Sequence, residues 1–314
     1  MKAIVTGGAG FIGSNMVDLL IREGCEVAVI DDLSSGKKKN VNPNAAFYEM
    51  DIAAPGVRGV FEKERPNYVF HFAAQISVAD SVRNPLHDAR VNIIGSLNLL
   101  EACVASGVGK FIFSSSGGTV YGEVPEAPAS EDTVFAPFAP YGITKMSLEF
   151  YLNFYLNQHG LKYTALRYGN VFGPRQDPHG EAGVVAIFAR AMLEGKTPMI
   201  NGDGSCERDY VYVEDVARAN FACVSKGDNT AYNVGTGVTT DVNQIYAAIA
   251  DAVGFTQQAN RGPHRAGDLQ RSVLDISKAE REIGWSPKFT LKTGLETTVA
   301  YFREEVAREK GAKK

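Results

Sequence analysis

Short apolar runs recur along the first half of the chain, each followed by a longer stretch whose apolar positions fall at helical spacing. Lys2 to Thr6, Glu26 to Ile30, Ala46 to Met50, Tyr68 to Phe72 and Lys110 to Ser114 read as strands. Helices are predicted over Phe11 to Glu23, near Gly56 to Glu64, over a long span near Pro85 to Ser106, and from Tyr141 to His159. Strand and helix in alternation imply a parallel sheet covered on both faces, an α/β fold. Further on, Gly183 to Leu193 and Val213 to Val224 read as helices, the second returning to the first part of the chain. Asp215 reads as a capping or pairing residue and Trp285, between Gly284 and Pro287, as a packed one.

Composition adds boundaries to this picture. A chain of 314 residues, 45% hydrophobic, suffices for one large or two medium domains. Its 32 basic and 36 acidic residues form no long block of one sign, which argues against nucleic acid or an anionic membrane as partner. The run Lys37-Lys38-Lys39 reads as a solvated loop. The chain opens directly on a strand and has no apolar run of membrane-spanning length, so the expectation is a cytoplasmic protein without a signal peptide. Cys25, Cys103, Cys206 and Cys223 are scattered, which argues against a disulfide frame and against a zinc site; no metal is expected.

Chemistry enters at the first turn. Gly7, Gly10 and Gly13 follow a predicted strand and open a helix, which gives a tight turn, close approach to a pyrophosphate and close helix packing. The second strand ends in Asp31-Asp32, where a carboxylate accepts hydrogen bonds from the adenosine ribose and repels a 2′-phosphate, favouring NAD over NADP. Asp51 and Ile52 follow the third strand, where an adenine edge could be bound. Phe72, Ala73, Ala74 and Gln75 follow the fourth, and their small residues let the backbone approach a cofactor. Asn92, inside the long predicted helix, reads equally as a solvent-facing residue or a buried bridge.

Tyr141 and Lys145, four residues apart, share one helix face, so an ammonium there favours the phenolate and makes a base usable near neutrality. Ahead of them stand Ser114-Ser115-Ser116-Gly117-Gly118-Thr119-Val120-Tyr121-Gly122. Together with Gly7-Gly8-Ala9-Gly10-Phe11-Ile12-Gly13, Asp31-Asp32-Leu33 and His71-Phe72-Ala73-Ala74, these motifs resemble the extended short-chain dehydrogenase/reductase family, and within it the UDP-glucose (UDP-galactose) 4-epimerases. The resemblance runs over nearly the whole chain.

The resemblance implies a Rossmann-type doubly wound parallel sheet spanning residues 1–168, with segments near 211–235 returning to it. A smaller mixed α/β nucleotide-sugar-binding domain would comprise 169–210 and 236–314. It implies NAD contacts also at Phe11, Ile12, Ser35, Gly36, Asn92, Ser114, Tyr168 and the catalytic pair, with Lys145 lowering the Tyr141 pKa. It implies UDP-sugar contacts at Ser116, Gly117, Tyr141, Asn170, Val184, Ile200, Arg208, Arg265 and Asp268, and a homodimer built on the two long helices. Counting back from Tyr121 sets Gly117 where relatives carry a catalytic Ser or Thr, so either Ser116 supplies the hydroxyl or a water does. Gly117, Gly118 and Thr119 include no acid, which lowers the dehydratase and decarboxylase alternatives. Ser272, small where some relatives have Tyr, leaves space for an N-acetylated sugar.

Overall fold

A computed structural model describes residues 1–124, 128–179, 183–264 and 269–311. The chain begins with β1 (Lys2–Thr6), a glycine turn and α1 (Phe11–Arg22), then β2 (Glu26–Asp31), β3 (Ala46–Glu49), α2 (Val57–Glu64) and β4 (Tyr68–His71). Two short helices, α3 (Val78–Arg83) and α4 (Pro85–Ala89), lead through a π turn (Arg90–Gly95) into α5 (Ser96–Ser106). Next come β5 (Lys110–Ser116), the one-turn α6 (Gly117–Val120), α7 (Pro140–His159) and β6 (Lys162–Tyr168). The remainder comprises β7 (Asn170–Phe172), α8 (Val184–Leu193), β8 (Met199–Asn201), β9 (Glu207–Tyr212), α9 (Val213–Ala222) and β10 (Thr230–Val234). It closes with β11 (Thr239–Asp241), α10 (Val242–Val253), β12 (Asn260–Gly262), β13 (Arg271–Ser272), α11 (Ser277–Ile283) and α12 (Leu291–Gly311).

Seven strands form one parallel sheet in the order β10-β6-β5-β4-β1-β2-β3. The order reverses between β1 and β4, so the loops leaving those strands part and open a crevice at the carboxyl edge. The strands are apolar on both sides because both faces are covered. On one face Val5, Val29, Phe70, Ile112 and Leu166 pack with Met16 and Leu20 of α1 and Val216 of α9. On the other, Ile4, Ile30, Val69, Phe111 and Phe113 pack with Phe61 of α2, Leu99 and Leu100 of α5, and Leu148 and Leu152 of α7. A third core gathers Phe172, Phe188, Ile245, Val299 and Phe302 from β7, α8, α10 and α12. Around it lie the smaller β11-β9-β13 sheet, with β7 joined to β9, and the β12-β8 pair. Among the described residues no helix is long and apolar enough to cross a membrane.

Two local differences from the sequence reading bear on the site, and the structure decides what it left open for Asn92. β5 runs to Ser116 rather than Ser114, pairing Ser116 with Tyr168 of β6. The long helix is broken: α3 precedes it, and the π turn at 90–95 widens it at Asn92, whose carbonyl also accepts the Ser96 hydroxyl at 2.6 Å. Asn92 itself is buried and bridges the loop after β4 to α7. Trp285 is buried as expected, its indole N–H donating to the Asp215 carbonyl at 2.9 Å, while the Asp215 carboxylate accepts the Lys288 and Phe289 N–H groups.

His71 ends β4 directly under the crevice. Its ring nitrogens lie 2.7 Å from the Thr6 hydroxyl and 2.8 Å from the Ser96 hydroxyl, and burial, reinforced by Lys145, pushes its pKa down to about 3. The folded chain therefore keeps this ring neutral, whereas the unfolded chain protonates it near pH ~6.5. Stability from this group is complete above that pH and falls as pH drops toward 3. The expected loss between pH 6.5 and 5 is about 2 kcal/mol by urea denaturation. In His71→Gln that loss should shrink by the same amount; an unchanged pH dependence would contradict the assignment.

Candidate active site

The first turn is built by contacts that exclude side chains. Gly7 has φ +71°, and a Cβ there would lie 2.6 Å from the Ala73 backbone nitrogen, so the turns after β1 and β4 touch. A Cβ on Gly13 would overlap the Gly7 carbonyl oxygen. Helix α1 starts at Gly10 with no side-chain cap and no acid in its first turn, leaving backbone N–H groups and the positive dipole end for an anion. Asp31 is buried, its carboxylate accepting the Ala9 and Leu33 N–H groups at 2.9 Å each. Burial pushes its pKa up against these bonds. A Cβ at Gly36 would lie 2.6 Å from Asp31 Oδ1, so the loop carrying Ser35 folds over that carboxylate. Asp32 is exposed and accepts the Ser34 N–H and hydroxyl.

Tyr141 and Lys145 lie one turn apart near the start of α7. The Ser116 hydroxyl lies near enough to the Tyr141 phenol to favour its ionisation, and Ser116 is the proposed hydroxyl of the site. Gly117 offers no hydroxyl, and the Leu274 side chain packs where its Cβ would be, at 2.7 Å. Lys145 is 4% exposed, with Nζ donating to the Ser114 carbonyl at 2.7 Å and lying 4.9 Å from the Phe113 ring centre and 5.7 Å from that of Tyr141. The expected lowering of Tyr141 by Lys145 is not present. Burial of the phenol pushes Tyr141 up to about 12, and burial of the ammonium pulls Lys145 down to about 8. Both groups have left water, and the ammonium is turned toward a carbonyl.

Behind Ser116 stands a buried ion pair that the sequence reading missed. Glu149 accepts Arg167 Nη2 at 2.6 Å and the Ser115 hydroxyl at 2.6 Å, and Arg167 Nη1 donates to the Tyr121 hydroxyl at 2.8 Å. Its signal was Glu149 one turn beyond Lys145 on the same helix face.

The other predicted residues divide. Phe72, Ala73, Ala74 and Gln75 line the crevice loop after β4. Asp51 pairs with Arg90 at 2.8 Å, and Ile52 is buried beneath it against Gly95. The Tyr168 hydroxyl is tied to Asn220 inside the fold. Asn170 faces Gly118, where a Cβ would sit 3.7 Å from its Oδ1. Arg208 lies opposite Ser272 in register, and among the described residues its guanidinium makes no ion pair. Val184 opens α8 and is half-buried. Ile200 lies on β8 with its side chain 2% exposed within the third core. Arg265 and Asp268 lie outside the described residues.

A dinucleotide fits this arrangement, because the uncapped helix start, the glycine cradle and the Asp31 carboxylate line one edge of the sheet. Residues 3–235 match the model of the NAD dependent epimerase/dehydratase family. The chain belongs to that family. The crystal structure of UDP-glucose 4-epimerase from Thermotoga maritima with UDP-glucose is 53% identical, covers 98% of this chain and 100% of its own, and superposes with a TM-score of 0.96. The enzyme of that name from Thermus thermophilus, in complex with NAD, is 46% identical over 96% of this chain and 99% of its own, TM-score 0.92. A UDP-N-acetylglucosamine 4-epimerase from Methanobrevibacter ruminantium, in complex with UDP-N-acetylmuramic acid, is 38% identical over 97% and 98%, TM-score 0.92. As a family member, this chain is an NAD-dependent protein.

Lys145 gives the site a measurable strain. Unfolded, it holds its proton to pH ~10.4; folded, only to about 8. Below pH 8 the buried charge therefore destabilises the fold in full, and the penalty disappears as pH rises through that interval. Lys145→Met is expected to gain about 2 kcal/mol in urea unfolding at pH 7, after loss of the Ser114 bond, and nothing at pH ~10.5. A variant less stable than the parent at pH 7 would contradict this.

Proposed function

We propose that the chain is an isomerase that inverts C4 of a UDP-hexose, interconverting UDP-glucose and UDP-galactose through a 4-keto sugar. The observation that carries the reading is Tyr141 one helical turn from the buried Lys145, with Ser116 beside the phenol, at the edge that bears the glycine turn. Tyr141 first gives up its own proton to solvent and then, as the phenolate, takes the proton of the sugar 4-hydroxyl, with Ser116 beside the two oxygens, and later returns it. NAD would supply the hydride acceptor for C4 and the donor that returns it, and its cationic ring would add positive charge beside the phenol. Lys145, charged below about pH 8, is the chain's own cation beside the phenol. Asp31, Ser35, Gly36, Asp51 and the loop 72–75 would hold the dinucleotide.

Arg208 suits a diphosphate through paired hydrogen bonds, and Arg265 is its proposed companion. Asn170, facing the Gly118 backbone, is the proposed sugar-diphosphate contact. The division is proposed as residues 1–168 with 211–235 for NAD, and 169–210 with 236–314 for the UDP-sugar. Ser272 beside Arg208 leaves room for an N-acetyl group, a reading supported by the UDP-N-acetylglucosamine 4-epimerase relative. The free cysteines accord with a cytoplasmic setting.

We also infer a homodimer. Leu86 is 83% exposed, and Ile94, Phe150 and Phe154 are exposed on the same two helical stretches, a concentration of apolar surface that suits a second copy. The double substitution Phe150→Glu, Phe154→Glu is expected to sediment as a monomer where the parent sediments as a dimer. A parent that is monomeric at micromolar concentration removes this reading.

The activity is tested by NMR of the sugar anomeric protons after incubation with UDP-galactose or UDP-N-acetylgalactosamine, first without added NAD and then with it. Formation of the gluco isomer at unchanged mass is expected, with Tyr141→Phe slower by about 10³-fold. Near-normal turnover by Tyr141→Phe overturns the base assignment, and a product of lower mass overturns the reaction class.

A further inference from the structure

Asp88, on α4, is a fully buried carboxylate to which the chemistry above gives no role. Its Oδ1 accepts Gln75 Nε2 at 2.8 Å and Asn92 Nδ2 at 3.0 Å. Its Oδ2 has no hydrogen-bond partner among the described residues. The two donors are themselves locked together: the Gln75 N–H donates to Asn92 Oδ1 at 2.9 Å, and Asn92 Nδ2 reaches the Gln75 carbonyl at 3.0 Å. Asn92 Nδ2 also lies 3.3 Å from the hydroxyl of Thr144, the residue before Lys145. The carboxylate is thus held rigidly next to the turn of α7 that carries the catalytic pair, with one oxygen bare.

A bare buried carboxylate is costly unless a positive charge compensates it. Lys145 is the buried cation of this pocket, and among the described residues no carboxylate lies within ion-pair distance of its ammonium. Two opposite charges are therefore buried in one region without touching. We propose that Asp88 is the counter-charge of Lys145, a positioning residue that acts through space to keep the ammonium protonated in the dry site while Gln75 and Asn92 fix its carboxylate. The groups around Lys145 are Tyr141 on its own helix, the neutral His71 of β4, the Ser114 carbonyl and Phe113 ring of β5, and, beyond the Asn92–Thr144 bridge, Asp88. Of these, Asp88 favours the charged ammonium while burial opposes it, and the same carboxylate works against ionisation of the Tyr141 phenol. An asparagine at 88 would keep the Oδ1 tether, so the tether alone does not require a charge.

The role rests on the proposed reaction only in taking the charged Lys145 as the active form, and the test separates the two. Lys145 is titrated by NMR in protein labelled with 15N-lysine, its signal assigned by absence from Lys145→Met. In Asp88→Asn the midpoint is expected to fall by about one pH unit. In Asp88→Glu, which keeps the charge, it should stay within about half a unit of the parent. The epimerase rate of Asp88→Asn should match the parent within about twofold at pH 6 and drop about fivefold at pH 8, with KM unmoved. A midpoint unchanged in Asp88→Asn, or one that falls as far in Asp88→Glu, overturns the proposal. So does a loss of rate equal at all pH values, which marks a merely structural residue. A midpoint that falls while the rate profile stays put upholds the counter-charge and overturns the need for a charged Lys145.

Discussion

A lysine ammonium and a tyrosine phenol withdrawn from water into one pocket are the constraint on which the rest of this structure depends. Water would level both groups to ordinary behaviour. Buried, they become sensitive to every charge and dipole nearby, and the surroundings are arranged accordingly. The Ser114 carbonyl accepts a hydrogen bond from the ammonium, the Phe113 ring lies near the charge, and the Ser116 hydroxyl lies beside the phenol. Further back, the Glu149–Arg167 pair holds Ser115, so that the strand presenting Ser116 is anchored from behind.

The sheet makes this placement possible. Parallel strands covered on both sides bring every loop that matters to one edge, and the reversal of strand order between β1 and β4 opens a gap there. Gly7 against Ala73 sets the floor of that gap to backbone thickness. His71, at the tip of β4, ties Thr6 to Ser96 and so fixes the first turn relative to α5. The first turn and α5 are one hydrogen-bonded body for that reason.

Much of this was legible in the sequence, and what was not has physical causes. Strand-helix alternation, the glycines and the Tyr141–Lys145 spacing are local signals, and the fold keeps them. The π turn at 90–95 left no local mark, because it is set by what Asn92 bonds across the fold. Asp88 reads as an ordinary helix acid until Gln75 and Asn92 are seen to enclose it. Ile200 was placed on the substrate from a motif, and the core its side chain joins, assembled from α8, α10 and α12, left no local mark either. The field of Lys145 on Tyr141 was argued from spacing alone; spacing gives the face of a helix but not the desolvation, which here outweighs the charge.

The seventh strand carries a consequence for how the protein is made. β10 pairs with β6, yet β7, α8, β8, β9 and α9 are synthesised between them. While the ribosome is still working through that interval, β6 offers an open parallel edge with unpaired backbone groups. The nascent sheet stays one strand short until Val234 has emerged, and contacts of such long range form slowly. A chain stalled in that interval exposes an edge able to capture a strand from a neighbouring nascent chain, so the vulnerable period of this protein's life lies in its synthesis rather than in its turnover.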